Sequence, residues 1–96
     1  MIISFGDRAT EDLYHGRQTK RVRRFPADIR QPALQKLDML NAAHRLDDLA
    51  MPPGNRLESL RGDLKGYYSI RVNEQWRIIF RWVGSAAHAV SLTDYH

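Results

Sequence analysis

The chain contains no cysteine among its 96 residues. Disulfide cross-links, cysteine-based zinc sites and thiolate catalysis are therefore excluded, and a reducing compartment is compatible with the composition. Long apolar runs are also missing, because no stretch approaches the ~20 residues that a membrane-spanning helix needs. The opening segment Met1–Phe5 is too short for the core of a signal peptide, and no basic residue precedes it. We therefore expect a cytoplasmic protein with no membrane partner.

Lysine is scarce for so basic a chain. Lys and Arg together number 15 against 11 Asp and Glu, which gives a net charge of +4, and only Lys20, Lys36 and Lys65 are lysines. An arginine offers a planar fork of donors that grips a phosphate at two points, whereas a lysine acts as a point charge. The balance indicates a nucleic acid or an acidic protein as partner, although many small basic proteins bind nothing in particular.

Composition and length are those of one ordinary folded domain. Hydrophobic residues make up 43% and charged residues 27% of the chain, which is not the balance of a disordered protein. The length leaves no room for two domains. We expect a single domain over residues 1–96.

The first half of the chain is predicted to hold one short strand and two helices. Ile2–Phe5 is β-branched at its start and favours a strand. Arg8–His15 favours a brief helix that ends at Gly16. The basic stretch 17–24 is either a solvated connector or the start of the second helix, which is predicted over about Pro26–Arg45.

The second predicted helix carries an apolar stripe and one discordant residue. Residues at steps of three and four share one helix face, and here they are Ile29, Ala33, Leu37, Leu40 and His44. Pro32 removes a hydrogen bond inside such a helix and crowds the carbonyl four residues back. We expect the stripe to face the core, with either a kink at Pro32 or a later start of the helix.

The second half of the chain is predicted to be antiparallel strands after a surface loop at Met51–Gly54. Apolar and polar residues alternate over Tyr67–Val72 and over Trp76–Trp82, and Asn73–Gln75 forms a three-residue hairpin loop between them. Ala86–Thr93 is the last predicted strand. The element order indicates an α+β fold with two helices packed on one face of a small, mainly antiparallel sheet.

The predicted hairpin gives the sheet two different faces. Its loop length sets the residues that lie opposite each other: Arg71 with Arg77, Ser69 with Ile79, and Tyr67 with Arg81. Because side chains alternate across a strand, the even-numbered positions form an apolar face and the odd-numbered positions a face with three arginines and a tyrosine. Two directly opposed arginines repel each other unless an anion or a carboxylate lies between them.

Three segments of the chain together resemble a known family. They are Leu60–Asn73, Trp76–Phe80 and Asp94–His96, each weak alone but specific in this order and spacing. Over essentially its whole length the chain resembles the HigB-type toxins of the RelE/ParE toxin–antitoxin superfamily. The resemblance implies a RelE-like, microbial ribonuclease-type fold. It also implies a ribosome-dependent messenger-RNA endoribonuclease that inhibits translation from the 30S A site and is neutralised by a HigA-like helix-turn-helix antitoxin.

Metal-free cleavage of RNA determines what such an active site must hold. The RNA's own 2′-hydroxyl attacks the adjacent phosphate, which requires a base, an acid and cations around the phosphate. Arg77 and Arg61 suit the phosphate because a guanidinium stays ionised, and the resemblance implies an active-site arginine at the position of Arg77. His96 is the candidate proton-transfer group, with Asp94 to orient it or to hold an arginine. Tyr95 either stacks on a base or donates a hydrogen bond.

Glu58 stands where members of the family often carry a histidine. It is either the general base or the partner of Arg61 or Arg56 in an ion pair, and the sequence leaves this open. The candidates for RNA contact are Tyr67, Arg71, Arg81 and Lys65. The remaining histidines follow no metal-binding spacing, so we expect neither a metal nor another cofactor.

Three other functions stay open at this point. A ParE-type inhibitor of DNA gyrase has the same fold, and fold does not decide function. A nucleic-acid-binding module without catalysis would bind in a steeply salt-dependent manner, and an inactive relative of the toxin is the third alternative. The pair Arg61 and Arg77 and the ending Asp94–His96 favour the nuclease.

Overall fold

The computed structural model describes residues 1–94 and has helices packed on one face of an antiparallel sheet. In chain order the α-helices and strands are α1 (Arg8–Tyr14), α2 (Lys20–Arg23), α3 (Ala27–Ala42), β1 (Glu58–Ser59), β2 (Tyr67–Arg71), β3 (Trp76–Val83) and β4 (Ala86–Asp94). Within the described residues the sheet has four strands in the order β1-β2-β3-β4. The predicted α+β class is confirmed. No helix of residues 1–94 is long and apolar enough to cross a membrane.

The hairpin of β2 and β3 has the predicted register. Its Cα partners include Arg71 with Arg77, Ser69 with Ile79, and Tyr67 with Arg81. The apolar face packs against α3 and the other helices, and its fully buried members on these two strands are Ile70, Ile78 and Phe80. The odd-numbered positions therefore lie on the face that the helices leave uncovered.

Helix α3 begins at Ala27 and runs through Pro32 without interruption, so a later start of the helix is wrong. Pro32 is exposed, and its ring costs the helix one hydrogen bond on the solvent side. The predicted stripe is buried at Ile29, Ala33, Leu37 and Leu40. His44 was predicted on the same stripe but lies beyond the helix end and is exposed, because the helix ends at Ala42 rather than near Arg45.

The basic stretch 17–24 contains a separate short helix, α2, which is joined to α1 through the buried carboxylate of Asp12. That carboxylate accepts hydrogen bonds from Thr19 Oγ1 at 2.9 Å, Arg21 Nε at 3.0 Å and Arg17 Nη1 at 3.2 Å. Burial by itself raises the pKa of Asp12, but these hydrogen bonds and the charge of Arg21 outweigh it and lower the pKa below its ordinary value.

The predicted first strand Ile2–Phe5 is wrong, because the segment makes only two isolated parallel bridges to β4, Ile2 with Ala87 and Phe5 with Val90. Between those bridges Ala89 has a φ of 53°, and the pairing of β3 with β4 shifts register there. A bulge of this kind interrupts the ladder of backbone hydrogen bonds. The Ala89 N–H donates to the Ser4 hydroxyl at 2.9 Å instead.

Candidate active site

The two opposed arginines of the hairpin turn away from each other. Arg71 Nη2 lies 4.0 Å from a carboxylate oxygen of Glu74, and Arg77 Nη2 lies 3.4 Å from a carboxylate oxygen of Glu58. Each guanidinium thus has its own carboxylate, which relieves the repulsion expected for a directly opposed pair. An ion pair with Arg61 or Arg56 was one of the two alternatives left open for Glu58, and the arginine that it contacts is Arg77.

Arg77 reaches diagonally across three strands. From β3 its Nη1 donates to Ser69 Oγ on β2 at 3.0 Å, while its Nη2 donates to Glu58 on β1. The register explains this reach, because Ser69 lies opposite Ile79 and a long side chain can contact a diagonal neighbour on the next strand. The Arg77 side chain is only 12% exposed. Its guanidinium is therefore held in one place on the uncovered face of the sheet.

A polar depression lies at β1 and the residues that follow it. Its volume is about 580 Å³, and its lining residues are Glu58, Ser59, Leu60 and Arg61. Leu60 anchors the segment, because its side chain is buried and its N–H donates to the Tyr67 carbonyl at 2.8 Å. The structure therefore brings Glu58 into contact with Arg77, and it exposes Arg61 in the same depression as Glu58.

Sequence reasoning missed both the strand that carries Glu58 and the role of Ser69. Strand β1 is two residues long, too short for any alternation of apolar and polar residues to reveal it. Ser69 carried a detectable signal, because the predicted register already put it opposite Ile79 and diagonal to Arg77. A serine placed between the arginines and the tyrosine of this face needs a hydrogen-bonding partner once it is buried.

The predicted RNA-contact residues lie on the same uncovered face or at its border. The guanidinium carbon of Arg81 lies 5.6 Å from the centre of the Tyr67 ring, a cation–π distance. Arg81 and Lys65 are exposed, and Tyr67 is half-buried. Arg71 lies nearer the hairpin loop, where it pairs with Glu74. Arg81 thus places a cation beside the aromatic ring of Tyr67.

Asp94 occupies the last described position of β4. Its Cα partner is Trp76, whereas the partner of Arg77 is Thr93, so alternation assigns Asp94 and Arg77 to opposite sides of the sheet. Gln75 Nε2 donates to Asp94 Oδ2 at 3.0 Å. Tyr95 and His96, the other two residues predicted at this end, lie outside the described residues.

Residues 1–94 contain no group of three or more histidine, cysteine or carboxylate side chains placed to hold a metal ion. His15 caps α1, His44 follows α3 and His88 lies on β4.

Solved structures with the same fold come from several bacteria. The chain superposes on the YoeB–YefM complex from Staphylococcus aureus with a TM-score of 0.60 and 20% identity, covering 100% of this chain and 98% of the other. A YafQ variant from E. coli gives a TM-score of 0.61 and 13% identity, with 98% and 93% covered. At these identities the likeness establishes the fold.

Curated relatives are similar over most of their length. Toxin HigB-1 of Vibrio cholerae serotype O1 is 46% identical over 87 residues, which is 91% of this chain and 90% of the relative. Endoribonuclease HigB of Proteus vulgaris is 30% identical over 96 residues and 100% of both chains. The family model described as the RelE-like toxin of the type II toxin–antitoxin system HigB matches residues 3–96. The chain belongs to this family of HigB-like toxins.

Proposed function

We propose that this toxin is a metal-independent endoribonuclease that cuts messenger RNA on the ribosome and so inhibits translation. The observation that carries the proposal is the Arg77 guanidinium, fixed by Ser69 and Glu58 on the uncovered face with 12% of its side chain exposed. An arginine that is already fixed in position can stabilise the negative charge that develops on a phosphate, because the arginine need not move during the reaction. The name of the Proteus vulgaris relative, Endoribonuclease HigB, supports the same activity.

The proposed reaction uses the RNA's own 2′-hydroxyl as nucleophile. Its oxygen bonds to the adjacent phosphorus, its proton passes to a base, the bond from phosphorus to the 5′-oxygen breaks, and an acid protonates that oxygen. Arg77 stabilises the phosphate, and Arg61 assists from the depression that Glu58 also lines. Glu58 acts as the base, because a phosphate that takes the place of its half-exposed carboxylate at Arg77 brings the adjacent 2′-hydroxyl beside that carboxylate. His96 acts as the acid, a role proposed from the sequence alone. The chemistry requires no metal and no cofactor.

The surroundings of Arg77 support docking to structured RNA in the 30S A site. Arg81 and Lys65 are exposed and Tyr67 presents part of its ring, a combination that contacts phosphates and stacks on bases. The ribosome would hold the message in a fixed orientation next to the toxin. Cleavage then becomes an effectively unimolecular step between groups that are already aligned. Residues 1–96 would act as one toxin domain in the cytoplasm. A HigA-like helix-turn-helix antitoxin would keep this domain inactive during growth.

The product ends and the position of the 2′-hydroxyl test the chemistry. Purified toxin is incubated with ribosomes that carry a defined message, and with the same message bearing one 2′-deoxynucleotide at the cleavage position. The proposal predicts a 5′-hydroxyl on the downstream fragment, no cut at the deoxynucleotide, and a loss of rate of about 10²-fold or more in Glu58→Gln and in His96→Ala.

Two outcomes would contradict the proposal. Cleavage that survives the 2′-deoxy substitution and leaves a 5′-phosphate would indicate hydrolysis by an activated water. Growth arrest by a toxin that cuts no message on the ribosome would favour inhibition of another target, such as DNA gyrase. Glu74→Gln serves as the matched control, because Glu74 pairs with Arg71 rather than Arg77.

A further inference from the structure

We propose that Ser69 is a positioning residue that keeps the Arg77 guanidinium in place while a substrate phosphate replaces the Glu58 carboxylate. This inference rests on the proposed function, since it describes how the same site receives its phosphate. Ser69 does not touch the substrate in this scheme. It acts through Arg77.

Ser69 and Glu58, both of which contact Arg77, differ in how deeply they are buried. Ser69 is 0% exposed, and its hydroxyl oxygen accepts a hydrogen bond from Arg77 Nη1 at 3.0 Å. The Glu58 side chain is 50% exposed, and its contact with Nη2 is longer, at 3.4 Å. An incoming anion can displace an exposed carboxylate at low cost, whereas a partner buried in the sheet cannot be displaced without moving the strand. Glu58 is therefore the exchangeable partner and Ser69 the permanent one.

The chemical type of each partner fits these roles. A carboxylate next to a guanidinium cancels much of its charge, and a phosphate then gains less from binding there. A hydroxyl accepts a hydrogen bond from the guanidinium but carries no charge. Ser69 thus fixes the direction of Nη1 and leaves the positive charge available to the phosphate. Because a guanidinium has five donors in a rigid fork, fixing Nη1 also orients the others.

The position of Ser69 has no better explanation from packing. It lies at the centre of β2 between partners on both sides, Glu58 on β1 and Ile79 on β3. A buried hydroxyl costs free energy unless it is hydrogen-bonded, and an alanine or valine would serve the sheet alone at least as well. Its hydroxyl instead accepts a hydrogen bond from the arginine on which the proposed reaction depends.

Ser91 provides a matched control for Ser69. Both serines are Cα partners of Ile79, Ser69 from β2 and Ser91 from β4. The Ser91 hydroxyl lies beside Gly6 at the N-terminal segment. Ser91→Ala therefore removes a hydroxyl from the same row of the sheet on the β4 side, whereas Arg77 Nη1 donates to Ser69 on the β2 side.

The first arm of the test is single-turnover cleavage of message on ribosomes. Ser69→Ala is expected to lower the rate at saturating ribosomes by about tenfold, with the half-saturating ribosome concentration unchanged because the surrounding basic surface still docks. Ser91→Ala should cut like the wild type. Ser69→Thr and Ser69→Val have nearly the same shape, and only the threonine should retain the wild-type rate to within about threefold. This pair isolates the hydroxyl if Ser69→Ala folds poorly.

The second arm does not depend on cleavage. In nitrogen-edited NMR spectra of the free protein, the Arg77 guanidinium of the wild type and of Ser69→Thr should show slow rotation, with separate Nη signals. Ser69→Val should show averaged signals.

Equal rates for Ser69→Val and Ser69→Thr, while Arg77→Ala is inactive, would overturn the positioning role and leave the nuclease intact. Averaged Arg77 signals in the wild type would overturn it as well. A wild type that cuts nothing would defeat the proposed function, and the NMR comparison would still decide the role of Ser69.

Discussion

Among single residues, Arg77 differs from its neighbour Arg71 in how completely the sheet holds it. Its side chain is 12% exposed against 24% for Arg71, and it has partners on two other strands. A guanidinium can satisfy a hydroxyl, a carboxylate and a phosphate in one plane, whereas an ammonium ion presents a single centre. The form of the cation, and not only its charge, therefore determines what this site can bind.

Arg77→Lys tests that distinction. The substitution keeps the charge but cannot reach Ser69 and Glu58 together, so we expect cleavage on ribosomes to fall by about 10²-fold. The melting temperature should change by only a few degrees. Single-turnover rates and thermal unfolding measure the two effects. Arg23→Lys, at an exposed position of α2, is the control and should change neither quantity. Equal activity of Arg77→Lys and the wild type would contradict the distinction between the two cations.

At this site the sequence predicted which residues lie opposite each other, but not the direction in which the Arg77 side chain points. Alternation predicted that Arg71 and Arg77 would face each other, which the register confirms. It did not predict that Arg77 would turn toward Glu58, because side-chain direction depends on which partners the neighbouring strands bring. Those partners become visible only when β1 is known.

At the level of elements, β4 contains a strained residue where the N-terminal segment meets it. Ala89 has a φ of 53°, a conformation that residues with a Cβ atom adopt at a cost. The bulge lets the Ser4 hydroxyl satisfy the Ala89 N–H and leaves the segment before α1 with isolated bridges instead of a ladder. The same strand leads to the chain end that carries Tyr95 and His96.

Ala89→Gly should stabilise the protein, because glycine adopts a positive φ without a steric penalty. We expect a gain of up to about 1 kcal/mol, reduced by the greater freedom of glycine in the unfolded chain. This corresponds to a rise of a few degrees in melting temperature. Ala86→Gly, at the start of the same strand, should instead destabilise. A loss of stability in Ala89→Gly would contradict the strain argument.

Elements were predictable in proportion to their length and regularity. The hairpin was predicted with its register because alternation continues along both strands and the loop is short. α1 was predicted to within one residue, since Gly16 with a φ of 73° ends it. Strand β1 is too short to show a periodic pattern. The prediction of a strand at Ile2–Phe5 was wrong because a bulge in β4, distant in sequence, determines how that segment pairs.

On the scale of the whole molecule, stability in acid depends on the carboxylate that joins α1 to α2. The pKa of Asp12 is lowered in the folded protein from an ordinary value of 3.8. A carboxyl group with a depressed folded pKa stabilises the fold at pH values above its ordinary pKa. That stabilisation is lost as the pH falls below about 4 toward the folded pKa.

Asp12→Asn should therefore lower the free energy of unfolding at neutral pH, because Arg17 and Arg21 lose their carboxylate. Below pH ~4 the difference from the wild type should shrink, because the wild-type carboxylate becomes protonated as well. Urea unfolding between pH 3 and 7 measures this, with Asp28→Asn on an exposed turn of α3 as control. A destabilisation that stays constant over the whole range would contradict the ionic role of Asp12.

The face centred on Arg77 is expected to cut translated messages. Primer extension after a brief pulse of expression tests it most directly, with wild type, Arg77→Ala and Arg23→Ala compared in the same cells. We predict in-frame cuts within translated codons for the wild type and Arg23→Ala, and none for a folded Arg77→Ala at equal abundance. The same cuts in Arg77→Ala, or growth arrest by the wild type without any cut, would contradict the account.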